Sequence, residues 1–339
     1  MSLSLEATLR ERLGRLIGED LRACEAEIGG ELRASPVPLI RDLGEYVALA
    51  GGKRLRPILV LLCARLGGGL GVRAARLGCV VELLHTATLI HDDVVDQAPL
   101  RRGRTAANAR WGDDAAVLVG DHLYSRCMAL LVADGDLAVM DALATAMVSM
   151  TEAEVLQLER KRDGELSETD YLRIIRQKTA TFMSACCRIG GIVAHLDAGA
   201  VGALGAYGER LGIAFQIIDD SLDFDADEAR LGKAIGADLR EGKCTLPLIA
   251  MLERATVEER ARILQALGRP GSAQRERVPA ERDVAEVHRL VKMYDGVGYA
   301  VGRAAAYAAE ATAQLARFSP CEEREVLSLI ADYVIHRDR

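Results

Sequence analysis

Two short runs of aspartate are the residues in this chain best equipped for chemistry. In ELLHTATLIHDDVVDQAPLRRGR, Glu82 to Arg104, Asp92, Asp93 and Asp96 follow an apolar helical pattern made by Leu83, Leu84, Ala87, Leu89, Ile90, Val94 and Val95. Asp92 and Asp96 lie four apart and share one helix face. Carboxylates crowded beside apolar surface repel one another and resist desolvation, so the cluster makes sense around a cation. Hard oxygen ligands without His or Cys at metal-ligand spacing suit Mg²⁺, which keeps several waters and takes further oxygens from phosphates. Arg101 and Arg102, just past Pro99, supply the positive charge a bridging polyphosphate would need.

A single DDxxD is a weak signal, because a solvated helix face or a cap reads the same way. The chain, however, carries a second copy, FQIIDDSLDF, which sets Asp219, Asp220 and Asp223 at the same spacing on another apolar segment. The two carboxylate faces can confront each other across a cavity, which a solvated face would not require.

Basic residues supply the counterpart. GGKRLRP, residues 51–57, puts Lys53, Arg54 and Arg56 at the start of an apolar helix, where cations and the helix dipole together attract an anion. Alone it would read as a solvated helix start. His85 sits two turns before Asp92 on nearly the same face, a position that by itself suggests a hydrogen-bonded core histidine. His91 has no assignable role. Lys178 and Thr179 fall within an apolar helical stretch, Gln216 lies one turn before Asp219, and Lys233 and Lys243 follow the second motif. HExxH, GxSxG and Walker patterns are absent from the sequence.

The combination of HDDVVDQAPLRRG, FQIIDDSLDF and GGKRLRP closely resembles the trans-type polyprenyl diphosphate synthases, over nearly the whole chain from about residue 10 onward. The resemblance implies condensation of an allylic diphosphate with isopentenyl diphosphate. Asp92, Asp96 and Asp219 would hold Mg²⁺, about three ions per active site with substrate bound, supported by Asp93, Asp220 and Asp223. Lys53, Arg56, His85 and Arg102 would grip isopentenyl diphosphate. Arg101, Lys178, Lys233 and Lys243 would grip the allylic diphosphate, and Thr179 and Gln216 would turn oxygens toward developing positive charge. Preorganised cations stabilise the departing diphosphate more than the ground state, and a dry apolar surround protects the carbocation. A terpene cyclase would need no second diphosphate site, and a non-catalytic partner subunit would have no need for both aspartate motifs.

Ala87 and Thr88, the fifth and fourth residues before Asp92, are small where short-chain members of the family tend to carry aromatics. A growing product would therefore pass them, with Met128 as a candidate floor. An all-trans product of roughly C30 to C50, near C40, is expected, since a helix of about 20 residues can line a pocket about 30 Å deep. Farnesyl or geranylgeranyl diphosphate synthesis is the alternative.

These residues must be carried by helices. The 339 residues are half apolar, only 4% aromatic, and rich in Ala, Leu, Arg and Glu. An all-α, single-domain bundle of about ten or more helices around a central cavity is expected over 1–339. One or two N-terminal packing helices should span 4–33 and end at Gly29 and Gly30, and 268–283 reads as a flexible Gly/Pro loop. Ser319, Pro320 and Glu322 suggest a capping box opening the last helix. A net charge of −7 without a basic aromatic stripe argues against nucleic acid as partner. The eight cysteines show no CxxC and read as reduced core thiols. Without an apolar N-terminal leader or an uncharged 18-residue run, the expectation is a cytoplasmic protein with peripheral membrane contact for product release, and the family implies a homodimer.

Overall fold

The structure, a computed structural model, describes residues 2–69, 71–160, 166–225, 236–267 and 280–337. The expected all-α architecture is present: α1 (Ser2–Arg33), α2 (Pro38–Ala48), α3 (Leu55–Leu66), α4 (Val72–Val95), α5 (Ala107–Trp111), α6 (Asp113–Asp134), α7 (Leu137–Glu159), α8 (Glu168–Ile175), α9 (Thr181–Val193) and α10 (Ala198–Asp225) come first. Shorter helices follow, then Gly296–Gln314 and the last helix Glu322–His336.

α4 is apolar nearly all round, and its buried residues from Ala74 to Ile90 leave it no solvated face over most of its length. Such a helix must sit inside, and α1, α3 and α6 pack around it. α10 is the second such axis, packed between α9 and Gly296–Gln314. Both aspartate motifs thus lie at the C-terminal ends of core helices, rigid elements on which a side chain is accurately placed.

Three boundaries depart from the sequence reading. α1 runs through Gly29 and Gly30 to Arg33. Each helical glycine costs about 1 kcal/mol, but Ile28 and Leu32, both buried here, each return about 1.5–3 kcal/mol. The last helix begins at Glu322 without a side-chain cap, because the Glu322 carboxylate pairs with Arg12 and Arg15 of α1 rather than turning back on its own backbone. Of the expected loop, 268–279 lies outside the described residues, while 281–283 opens the helix Glu281–Met293.

A two-residue antiparallel hairpin, β1 (Leu100–Arg101) with β2 (Arg104–Thr105), interrupts the helices after α4. Its central residues Arg102 and Gly103 both take positive φ, 53° and 73°, as a type I′ turn requires. The hairpin sends its paired arginines to different partners: Arg101 to Asp93, and Arg102 to the Gly51 carbonyl.

Candidate active site

At the end of α4 the three aspartates are not equivalent. Asp92 is half-buried, and desolvation, opposed by the nearby Lys178 cation, raises its carboxyl to about 6. Asp96 caps the helix and stays partly open. Asp93, 1% exposed, points inward and accepts from Arg101 Nε at 2.5 Å. The Arg101 guanidinium therefore orders the first motif before any diphosphate arrives.

The second motif divides similarly. The Asp219 side chain is 54% exposed, whereas Asp223 is buried and accepts from the Asp238 backbone N–H at 3.2 Å. Asp220 accepts from the Tyr171 hydroxyl at 2.6 Å and from Gln216 Nε2 at 2.8 Å, and burial raises its carboxyl above the usual range. Lys243 Nζ lies 2.6 Å from Glu241 and 3.7 Å from Asp96. Burial disfavours that ammonium, but Asp238, Glu241 and Asp96 outweigh the penalty and hold it charged. A lysine that follows the second motif thus reaches the first, so the two aspartate helices do face one another.

Between them runs a π-helical turn, Arg176–Ala180, joining α8 to α9. Turns of this kind concentrate at functional sites because the extra residue turns a side chain off the regular helical face. Here it carries Lys178, whose Nζ is 2.6 Å from Glu154 and donates to Gln157 at 3.0 Å, and Thr179, whose hydroxyl donates to Gln216 Oε1 at 2.8 Å. Gln216 is therefore bonded to Asp220 and Thr179 rather than ranged beside Asp219. α10 approaches this turn closely: a Cβ on Gly212 would fall 2.5 Å from Ala180 Cα, so only glycine fits.

A separate cationic cluster forms where α3 begins. Arg54 adopts φ 50° and is structural: it donates to Glu82 at 2.8 Å and to the Ala48 carbonyl at 2.8 Å, leaving its neighbours in the motif for other work. Lys53 is exposed, with Nζ 5.2 Å from the centre of the Tyr333 ring. Arg56 lies 5.3 Å from the Phe182 ring, its charge disfavoured first by burial. A Cβ on Gly52 would meet the Arg102 guanidinium at 3.1 Å, so this glycine admits the hairpin arginine. His85 is held well below its ordinary range by burial and then by Arg56, Arg102, Arg101 and Arg54. It stands as a neutral imidazole in a field that attracts anions.

Around α4 the half-buried stripe runs His85, Thr88, Leu89 and Asp92. Ala87 is turned about 140° from Asp92 and is buried in the core, so Thr88 is the small residue on the aspartate side. Met128 is 40% exposed on the outer stripe of α6, beside Tyr124 and Val132. It is no floor within this chain alone. Lys233 lies outside the described residues. His91, unassigned before, has Nε2 3.2 Å from the Val117 carbonyl and 3.4 Å from Asp121, fastening α4 to α6.

Sequence reading missed Arg337, Asp238 and Tyr171. Arg337, just beyond the last helix, donates to Asp219 Oδ1 at 3.0 Å and stacks 3.8 Å over Phe215. No spacing rule links residues 118 apart. Asp238 has a local signal, since its acid sits in GADLREGK between the second motif and Lys243.

The donor set suits a hard cation: Asp92, Asp96 and Asp219 are partly open, whereas Asp93 and Asp223 are buried and the half-buried Asp220 accepts from Tyr171 and Gln216. Among the described residues no three acidic, His or Cys side chains close around a single point, so phosphate and water oxygens would complete the coordination.

Residues 37–283 match the family model for polyprenyl synthetase. The octaprenyl diphosphate synthase of Escherichia coli is 41% identical over 257 residues, 76% of this chain and 79% of that one. That of Haemophilus influenzae is 36% identical over 328 residues, 97% of each. The solved polyprenyl synthase of Caulobacter crescentus, complexed with calcium and isoprenyl diphosphate, aligns with a TM-score of 0.90 and 39% identity, covering 96% of this chain and 97% of that one. The chain belongs to the polyprenyl synthetase family. It is an enzyme, a trans-prenyltransferase of the medium- to long-chain kind.

Proposed function

We propose that this enzyme extends an allylic diphosphate primer with isopentenyl diphosphate, head to tail, to an all-trans polyprenyl diphosphate of roughly C30 to C50, near C40, about the length a 30 Å helix-lined pocket accommodates. The observation that carries the reading is the pairing of two aspartate helices bridged by Lys243 with a separate cluster of Lys53, Arg56, Arg102 and His85. A protein that handled one diphosphate would not need both.

Mg²⁺ at Asp92, Asp96 and Asp219 would neutralise charge on the departing diphosphate. Lys178, tethered by Glu154 and Gln157, and Lys243, between the motifs, add fixed positive charge on the same side. Lys233 belongs to this group by its place in the sequence. Lys53, Arg56 and Arg102 hold the second diphosphate, and neutral His85 can donate one hydrogen bond to it without adding charge. Arg101, Asp93, Asp220 and Asp223 act by fixing their neighbours in place.

Thr88 and Ala87 bear on product length, and Met128 does so once a second chain covers it. A homodimer through α6 and α7 is supported by their exposed apolar side chains, among them Leu118, Met128 and Val132 on α6 and Val148 and Val155 on α7. α6 has the length and apolar composition of a membrane crossing, but Arg126 within it pairs with Glu31 of α1. That pairing and the packing of α6 on α4 favour a cytoplasmic single-domain enzyme that meets the membrane at its surface to release product.

The test is incubation of the purified chain with Mg²⁺, labelled isopentenyl diphosphate and primers of increasing length. Consumption of isopentenyl diphosphate with products near C40 is expected. Products that stop at C15 or C20 would overturn the length, and no consumption with any primer would overturn the function.

A further inference from the structure

Tyr171 stands in α8, just before the π-helical turn that carries Thr179. Its ring is 3% exposed and its hydroxyl donates to Asp220 Oδ2 at 2.6 Å. Burial, and then the neighbouring Asp220, keep the phenol protonated, so it meets the carboxylate as a donor.

A carboxylate only accepts hydrogen bonds, which settles the orientation of everything beyond it. Gln216 has to present its NH₂ to Asp220 Oδ1, at 2.8 Å. Its amide oxygen then faces Thr179 Oγ1, also at 2.8 Å. The threonine hydroxyl has one proton, and it goes to that oxygen. What remains on the other side of Oγ1 is lone-pair density. The chain of bonds has a single polarity from end to end, tying α8 to Asp220 and the π-helical turn to Gln216, one helical turn apart on α10.

We propose that Tyr171 is a positioning residue that acts through Asp220 and Gln216 to hold the Thr179 hydroxyl with its lone pairs toward the reacting allylic carbon. The oxygen then presents the negative end of a fixed dipole to the positive charge that develops on that carbon, at no reorganisation cost during the reaction. In Tyr171→Phe the carboxylate of Asp220 loses one of its two donors, and Gln216 and Thr179 are free to rotate. This inference rests on the proposed prenyl transfer.

The experiment separates the two. Wild type and Tyr171→Phe are compared at pH 8 with Mg²⁺ for binding of two unreactive primer analogues. One has sulfur in place of the bridging oxygen and is uncharged at the reacting carbon, and the other carries a protonated amine there. The variant should bind the amine analogue roughly ten- to a hundredfold more weakly, as for a lost hydrogen bond to a charged group, and the sulfur analogue within about twofold of wild type. Its kcat should fall in step while KM for isopentenyl diphosphate holds. Gln216→Met, which cuts the chain in the middle, should show the same selective loss, with no further loss when Tyr171→Phe is added, and it carries the test if the phenylalanine variant does not fold. Equal weakening of both analogues, no weakening, or losses that multiply in the double variant would overturn the role of Tyr171 while leaving prenyl transfer intact. A wild type that consumes no isopentenyl diphosphate overturns both.

Discussion

Replacing Arg54 by methionine tests whether the three cations of GGKRLRP do one job or two. In the structure the Arg54 side chain is 9% exposed and Glu82 is 6% exposed, their nearest atoms 2.8 Å apart, with a second guanidinium nitrogen on the Ala48 carbonyl. Glu25, 3.5 Å from Arg54 Nε, is about half exposed and too well solvated to replace either bond. Methionine fills much of the volume but leaves the Glu82 carboxylate buried without its partner. Breaking a buried pair from one side costs about 3–5 kcal/mol, most of it the stranded charge. In a chain of this size that lowers the melting temperature by about 4–7 °C. Removing the stranded charge as well, in Arg54→Met/Glu82→Met, should recover a large part of the loss. Lys53→Met, by contrast, should melt within about 1 °C of wild type, as exposed substitutions do, and raise KM for isopentenyl diphosphate instead. Scanning calorimetry of the four proteins beside steady-state kinetics distinguishes the cases. The division of labour is refuted if Arg54→Met melts like wild type, or if the double variant melts lower than the single one.

Asp92→Ala and Asp219→Ala should each lower kcat by about 10²–10³ while keeping the wild-type circular dichroism, and near-normal turnover in either would remove the metal assignment. Burial raises Asp92 to about 6, so the free enzyme carries a proton there on its acid side that a bound cation must expel. Mg²⁺ binding with diphosphate present should therefore weaken as pH falls through about 6 and release protons near that pH, seen by calorimetry in two buffers of different ionisation enthalpy. Because the folded carboxyl lies above its unfolded value of 3.8, the metal-free fold loses stability from this group as pH rises toward 6 and nothing more above it. A binding heat independent of buffer would contradict the shift. Thr88→Tyr should shorten products toward C15 or C20 with the first condensation preserved, and Ala87→Tyr should do so only at a cost in stability, read from product sizing and melting curves. An unchanged product distribution in both would end the length argument.

The long helices were legible because a buried axis such as α4 or α10 must be apolar over many turns, and both aspartate motifs were legible because their spacing is local. What was not legible depended on distant partners. Glu322 has the placement of a capping residue, yet Arg12 and Arg15, three hundred residues earlier, claim it. Asp93 and Asp220 have the spacing of ligands, but nothing local in the sequence says that Arg101 donates to the one and Tyr171 to the other. Two-residue strands are too short for any periodicity, although an Arg-Gly pair between polar neighbours was the available turn signal. Arg337 reaches Asp219 only because the last helix returns along α10, where the Tyr207 hydroxyl donates to the Leu327 carbonyl at 2.7 Å.

The π-helical turn at Arg176–Ala180 sets local regularity against chemistry. It holds one residue more than an α-helical turn, so deleting a single residue there would let α8 and α9 join into one unbroken helix with better backbone bonding. Because that turn fits its extra residue into one revolution, α8 and α9 would keep nearly their present rotation, and the loss would fall on the residues of the turn itself. Lys178 and Thr179 could then no longer both hold their present directions, one to Glu154 and the other to Gln216. A shortened chain of this kind would be the easier helix to form and the poorer enzyme, and screening variants for heat resistance alone would favour it. Thermostability is the wrong guide in this stretch, where the irregularity is what places a lysine and a threonine at the site.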